Sequence, residues 1–82
     1  MESKKEFEFF DNLIGGFYAK LKYLLIVSKK DNMQVSINGI QHNIECGFTT
    51  GMKLKNVLIN LGYIDENGYV IIDEDEINKL EE

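Results

Sequence analysis

At 82 residues the chain has material for one domain, spanning 1–82, and none for a second core. Its 44% hydrophobic and 28% charged residues are those of a folding globular protein and exclude a disordered one. Fourteen carboxylates against nine basic residues leave a net charge of −5, and every basic residue is a lysine. The arginine that reads guanine edges and clamps phosphate is therefore missing, which disfavours nucleic-acid binding.

The first predicted element is an amphipathic helix to about Lys22. Phe7, Phe10, Ile14, Phe17 and Leu21 recur at steps of three and four, which sets them on one stripe. Leu13 and Tyr18 edge that stripe, and Glu8, Asn12, Ala19 and Lys22 lie opposite. Gly15-Gly16 interrupts the middle at about 1 kcal/mol per glycine relative to alanine. Because the apolar phase continues across the pair, the reading is one helix with a close-packed or kinked point. Tyr23 to Val27 are all apolar, more solid than one helix face, and predict a buried strand over 23–28. Ser28 to Asn32 then supplies a turn.

Met33 to Cys46 reads as a hairpin about Asn38-Gly39, a pair suited to the positive φ angles of a type I′ turn. Ile37 would face Ile40, Val35 His42 and Met33 Ile44, with Cys46 on the same buried face. Gln34, Ser36, Asn38, Gln41, Asn43 and Glu45 would form the polar face. A second helix follows, capped by Thr49 or Thr50, with Leu54, Val57, Leu58 and Leu61 as its stripe and Gly62 at its C′ position. Asp65 to Gly68 is a turn, and Tyr69 to Ile72 a short strand. Asp73 caps a last helix carrying Ile77 and Leu80, with Glu76 placed as in a capping box. The expected class is α+β: an N-terminal amphipathic helix, a three-stranded antiparallel meander, a helix, a short strand and a short C-terminal helix.

Residues 33–62, MQVSINGIQHNIECGFTTGMKLKNVLINLG, combine a hairpin, a threonine-led loop and a leucine-rich helix ending in Leu-Gly. In this the stretch resembles the first half of the β-grasp sulphur carriers. The resemblance implies a β-grasp-like fold over a little more than a third of the chain. It does not imply carrier chemistry, because those carriers act through a C-terminal Gly-Gly where this sequence has Lys79-Leu80-Glu81-Glu82. The helix preceding the hairpin is also foreign to that pattern.

Catalytic and metal-binding equipment is sparse. His42 and Cys46 are the only histidine and cysteine. Four residues apart on a strand they would be separated by ~13 Å, too far for a nucleophile–base pair. Asp65, Asn67, Tyr69 and Glu74 partly overlay an EF-hand loop, but Tyr63 would occupy the first ligand position, so an ordinary Asn-Gly turn is preferred. Asp73, Glu74, Asp75 and Glu76 read as a solvated helix start. With no phosphate loop or nucleophile elbow either, the expectation is a protein that is not an enzyme and takes no cofactor or metal.

The lone cysteine precludes an internal disulfide, the staple of small secreted domains. The acidic N-terminus is unlike a signal peptide, and Leu13 to Val27 is too short and too lysine-bearing to span a membrane. A cytoplasmic location is expected, and the lysine bias fits an A+T-rich genome such as that of a low-G+C bacterium, its phages or mobile elements, or an archaeal virus. The leading functional expectation is a small acidic protein-binding module, an adaptor or inhibitor, with contacts from Phe9, Tyr18, Tyr63, Tyr69, Asp73, Glu74, Asp75 and Glu76. An alternative is structural self-association as a homodimer through helix 1, with Phe10, Ile14, Gly15, Gly16, Phe17 and Leu21 at the seam. A degenerate β-grasp-like domain is the third.

Overall fold

The computed structural model describes residues 5–80. A 3₁₀ turn over Lys5–Phe7 leads into α1 (Glu8–Leu13), and α2 runs from Phe17–Lys30. The short helix α3 (Ile37–Ile40) continues into a π-helical turn over Gln41–Glu45. It is followed by α4 (Phe48–Asn60) and α5 (Glu74–Asn78). Helix makes up 66% of the described residues, and their one β pairing is an isolated antiparallel bridge between Ile64 and Val70. The α+β expectation is overturned: among the described residues there is no three-stranded meander and no strand over 69–72.

The predicted first helix is two helices. Ile14 adopts extended angles, and Gly16 takes a left-handed φ of 67° as the N-cap of α2. A β-carbon at Gly15 or Gly16 would meet nothing within 4 Å, so the pair is not a close-packing point; Gly16 serves the left-handed turn. In a continuous helix, Phe10 and Phe17 would be separated by ~10 Å of rise. Their rings instead stack at 5.7 Å because α1 folds back on α2. The stripe Phe7, Phe10, Ile14, Phe17 and Leu21 is nonetheless wholly buried, since both short helices turn it to the same core.

The predicted strand at 23–28 is the second half of α2. Leu21, Leu24, Leu25 and Ser28 are its buried residues, at the i, i+3, i+4, i+7 spacing of a helix face. Ile26 and Val27 are half-buried and Tyr23 is exposed. Packing of α2 against α1, the π turn and α5 explains the broad apolar arc that looked like a strand. Asn32, with φ 55°, ends the helix in a Schellman motif. The Met33 amide donates to the Ser28 carbonyl at 2.8 Å and that of Asn32 to Lys29 at 3.2 Å.

The hairpin at 33–46 is also overturned. Ser36 is extended and caps α3, its Oγ accepting the Gly39 amide at 3.0 Å, so Asn38-Gly39 lies inside a helix. Ile37, Ile40 and Ile44 are spaced for a helix as well as for a hairpin, and the side chains that separate the two readings decide it. Met33 and His42, which a hairpin would bury, are exposed. The β-grasp-like reading falls with the hairpin. Gly51 of α4 is buried against α3, where a β-carbon would lie in ordinary contact 3.5 Å from the Ile37 carbonyl oxygen.

The later helices and the Asp65–Gly68 turn follow their predicted positions with one change of cap, while the strand expected at 69–72 is reduced to the single bridge of Val70 to Ile64. Gly47, not Thr49 or Thr50, is the N-cap of α4. Leu54 and Leu58 are buried, and Val57 and Leu61 are half-buried against the core. Gly62 has φ 82°, and the amides of Gly62 and Tyr63 donate to Ile59 and Leu58 at 3.0 and 2.9 Å, a second Schellman end. Asp73 caps α5 through Oδ1, which accepts the Glu76 amide at 2.9 Å, and Ile77 and Leu80 are buried.

Candidate functional site

The core is organised by an aromatic cluster that sorts the predicted contact residues. Phe7 lies 5.8 Å from Phe17, 6.1 Å from Tyr18 and 5.9 Å from Tyr63 between ring centroids. Phe10 and Phe17 stack beside them. Tyr18 and Tyr63 are therefore core residues, 6% and 7% exposed, and not presented to a partner. The same is true of Phe10, Ile14, Phe17 and Leu21, which the protein buries within itself. Burial, followed by the influence of Glu76, Tyr18 and Glu6, pushes the Tyr63 phenol above its usual range.

Of the large apolar side chains that the fold leaves exposed, four are on α1 and α4, while Tyr23, Met33, Tyr69 and Ile71 lie on other segments. Phe9 and Leu13, one helical turn apart on α1, are 52% and 58% exposed. Phe48 and Met52, one turn apart on α4, are 57% and 39% exposed. α1 and α4 meet here through Lys53, next to Met52, whose Nζ lies 5.4 Å from the Phe9 ring centre. Phe9 packs edge-on against buried Phe10, which fixes its direction. This face is the candidate functional site. Phe9 was predicted from sequence. Leu13, Phe48 and Met52 were not, although Phe48 and Met52 fall visibly off the Leu54–Leu58 stripe at a helical spacing.

The remaining candidates lie apart from one another. Tyr69 is 37% exposed and Ile71 two residues on is 56% exposed, both in the loop after the Asp65–Gly68 turn. Asp73, Glu74, Asp75 and Glu76 are exposed around the start of α5, and the Asp73 carboxylate is spent on capping. Asp65 uses its Oδ1 to accept the amides of Asn67 and Tyr69, both at 2.9 Å, which is the turn chemistry that its sequence context suggests. Among the described residues no group of three or more His, Cys, Asp or Glu side chains is placed to hold a metal ion.

His42 lies within the π turn and Cys46 directly follows it, so neither is on a strand. His42 is exposed and Cys46 half-buried, and burial raises the thiol above its usual pKa, away from the thiolate form that a nucleophile needs. The π turn ends at Glu45, whose φ of 63° is left-handed; its carboxylate meets Lys20 Nζ at 3.1 Å.

No protein-family model, curated protein or solved structure matches this sequence. No helix among the described residues is long and apolar enough to cross a membrane.

Proposed function

We propose that the protein is a small acidic protein-binding module that acts by occupancy, without catalysis, and that it engages its partner through the α1–α4 face. The observation that carries this reading is the exposure of Phe9 and Leu13 on α1 and of Phe48 and Met52 on α4, with Lys53 of α4 over the Phe9 ring. Isolated exposed apolar residues are ordinary, but two pairs of large ones, each pair one helical turn apart in an 82-residue protein, are costly in water. Phenylalanine and methionine are also enriched at interface centres, where lysine is depleted, so Phe9, Phe48 and Met52 would carry the contact and Lys53 its rim. The exposed carboxylates of Asp73 to Glu76 and the net charge of −5 would serve solubility and steering.

The experiment is site-specific photo-crosslinking in the native host, with benzoylphenylalanine at Leu13 or at Phe48. A discrete adduct at both positions that disappears in the Phe9→Ser/Met52→Ser background, with helical circular dichroism unchanged, supports the reading. Absence of adducts at both positions, or adducts indifferent to that background, refutes it. An adduct of twice the protein's own mass would identify the partner as a second copy.

A further inference from the structure

The sequence contains the dipeptide Asn-Gly twice, at 38–39 and at 67–68, and the fold places the two copies in opposite circumstances. We propose that Asn67-Gly68 is a site of spontaneous deamidation to aspartate and isoaspartate, and that α3 shields Asn38-Gly39 from the same reaction. The chemistry needs only water. The amide nitrogen of the glycine bonds to the asparagine Cγ, and the bond between Cγ and Nδ2 breaks. Nδ2 departs as ammonia with the proton lost by the attacking amide. Water then opens the resulting succinimide at either carbonyl. Glycine favours closure because no β-carbon crowds the attacking nitrogen, but the asparagine must first rotate its backbone out of helical or turn angles.

At Asn38 that rotation would dismantle structure. Asn38 lies inside α3 between Ile37, which packs on Gly51, and Ile40, which is fully buried. The Gly39 amide is held by Ser36 Oγ at 3.0 Å, and the Gly39 carbonyl accepts from Asn43 Nδ2 at 2.9 Å. Freeing the Gly39 nitrogen unwinds the helix and draws Ile40 from the core.

At Asn67 the rotation removes no apolar side chain from the core. Glu66 and Asn67 are exposed at the tip of the turn, and Gly68, though buried, has no side chain. The ties to be broken within the turn are the Gly68 amide to the Asp65 carbonyl and the Asn67 amide to Asp65 Oδ1, each 2.9 Å, and the rotation also loosens the exposed bond from Gln34 Nε2 to the Asn67 carbonyl. The consequence is local and specific. The Asn67 carbonyl accepts Gln34 Nε2 at 2.8 Å and the Gly68 carbonyl accepts the Val35 amide at 2.7 Å, which clamps the turn to the segment between α2 and α3. Isoaspartate lengthens the backbone by one carbon at this clamp and adds a negative charge beside Asp65 and Glu66. The turn then loses its register on Gln34 and Val35.

The test follows each site by peptide mapping, with enzymatic isoaspartate labelling, in the full-length protein held for days in mildly alkaline buffer. Parallel samples are kept folded and in concentrated urea. The expected result is conversion several-fold faster at Asn67 than at Asn38 in the folded protein, with the two rates similar in urea. Equal rates in the folded protein, or faster conversion at Asn38, would overturn the proposal. So would a folded protein inert at Asn67 over a period in which the unfolded form reacts there.

Discussion

Single backbone positions carry much of this fold. Gly68 has φ 95°, and a β-carbon there would lie 2.9 Å from the Val35 carbonyl oxygen and 3.3 Å from its nitrogen. Gly68→Ala therefore incurs both left-handed strain and a backbone clash that no rotamer change relieves. We expect a loss of about 2–4 kcal/mol, read as a lower urea midpoint with an unchanged slope. Tyr63 sets an alkaline limit. Its phenol is held above the ordinary value of about 10 by burial first, then by Glu76, Tyr18 and Glu6. A raised folded-state pKa contributes stability that is fully present below the unfolded value and is lost as pH rises through the folded one. Thermal melts should accordingly be flat near neutrality and fall above about pH 10. Tyr63→Phe should flatten that decline, and an unaltered slope in the variant would refute the assignment.

At the scale of elements, short helices depend on their caps. α3 and α5 have four and five residues, too few to persist by propensity. Ser36 and Asp73 each satisfy an otherwise unpaired amide at the N-terminus of one of them. Ser36→Ala and Asp73→Ala should each cost about 1 kcal/mol in chemical denaturation. The junction of α1 and α2 gives a test with opposite signs for its two readings. Gly16→Ala in a continuous helix would stabilise by about 1 kcal/mol. With Gly16 at φ 67°, it should destabilise by a similar amount. The caps at Asp73 and Gly62 were legible in the sequence because each acts within a few residues of itself. The cap at Ser36 was not, because Asn38-Gly39 suits a hairpin turn as well as the first turn of a helix. Ile37, Ile40 and Ile44 satisfy both periods, so local pattern could not choose between them.

For the whole molecule, the core and the exposed face are complementary results of one packing. The radius of gyration is 11.3 Å, close to the ~12 Å of a compact protein of this length. The Phe7, Phe17 and Tyr63 rings bring the N-terminal turn, α2 and the segment after α4 into one cluster. Phe9, Leu13, Phe48 and Met52 remain outside it. Leu13→Ser/Phe48→Ser should leave the melting temperature within a few degrees of wild type, because both side chains are already more than half exposed. Phe17→Ala, by contrast, should cost about 3–5 kcal/mol and unfold much of the population, as removal of a fully buried ring does. Similar losses in the two variants would mean that the α1–α4 face is part of the core.

The sequence by itself determined which side chains the core would take along helix 1, since Phe7, Phe10, Ile14, Phe17 and Leu21 are apolar whether one helix or two present them. It also determined α4, its Gly62 end, the Asp65–Gly68 turn and the capped last helix, all of which rest on contacts a few residues long. Tertiary structure alone decided the rest. Tyr23 to Val27 are helical because α2 is covered on several sides, and a run of apolar residues cannot announce how many neighbours it will have. Residues 37–45 are helical where they pack on α4 and α2, contacts between distant parts of the sequence. Tyr18 and Tyr63 became core and Phe48 and Met52 surface for the same physical reason: burial is settled by which helices meet, and that is a property of the assembled fold.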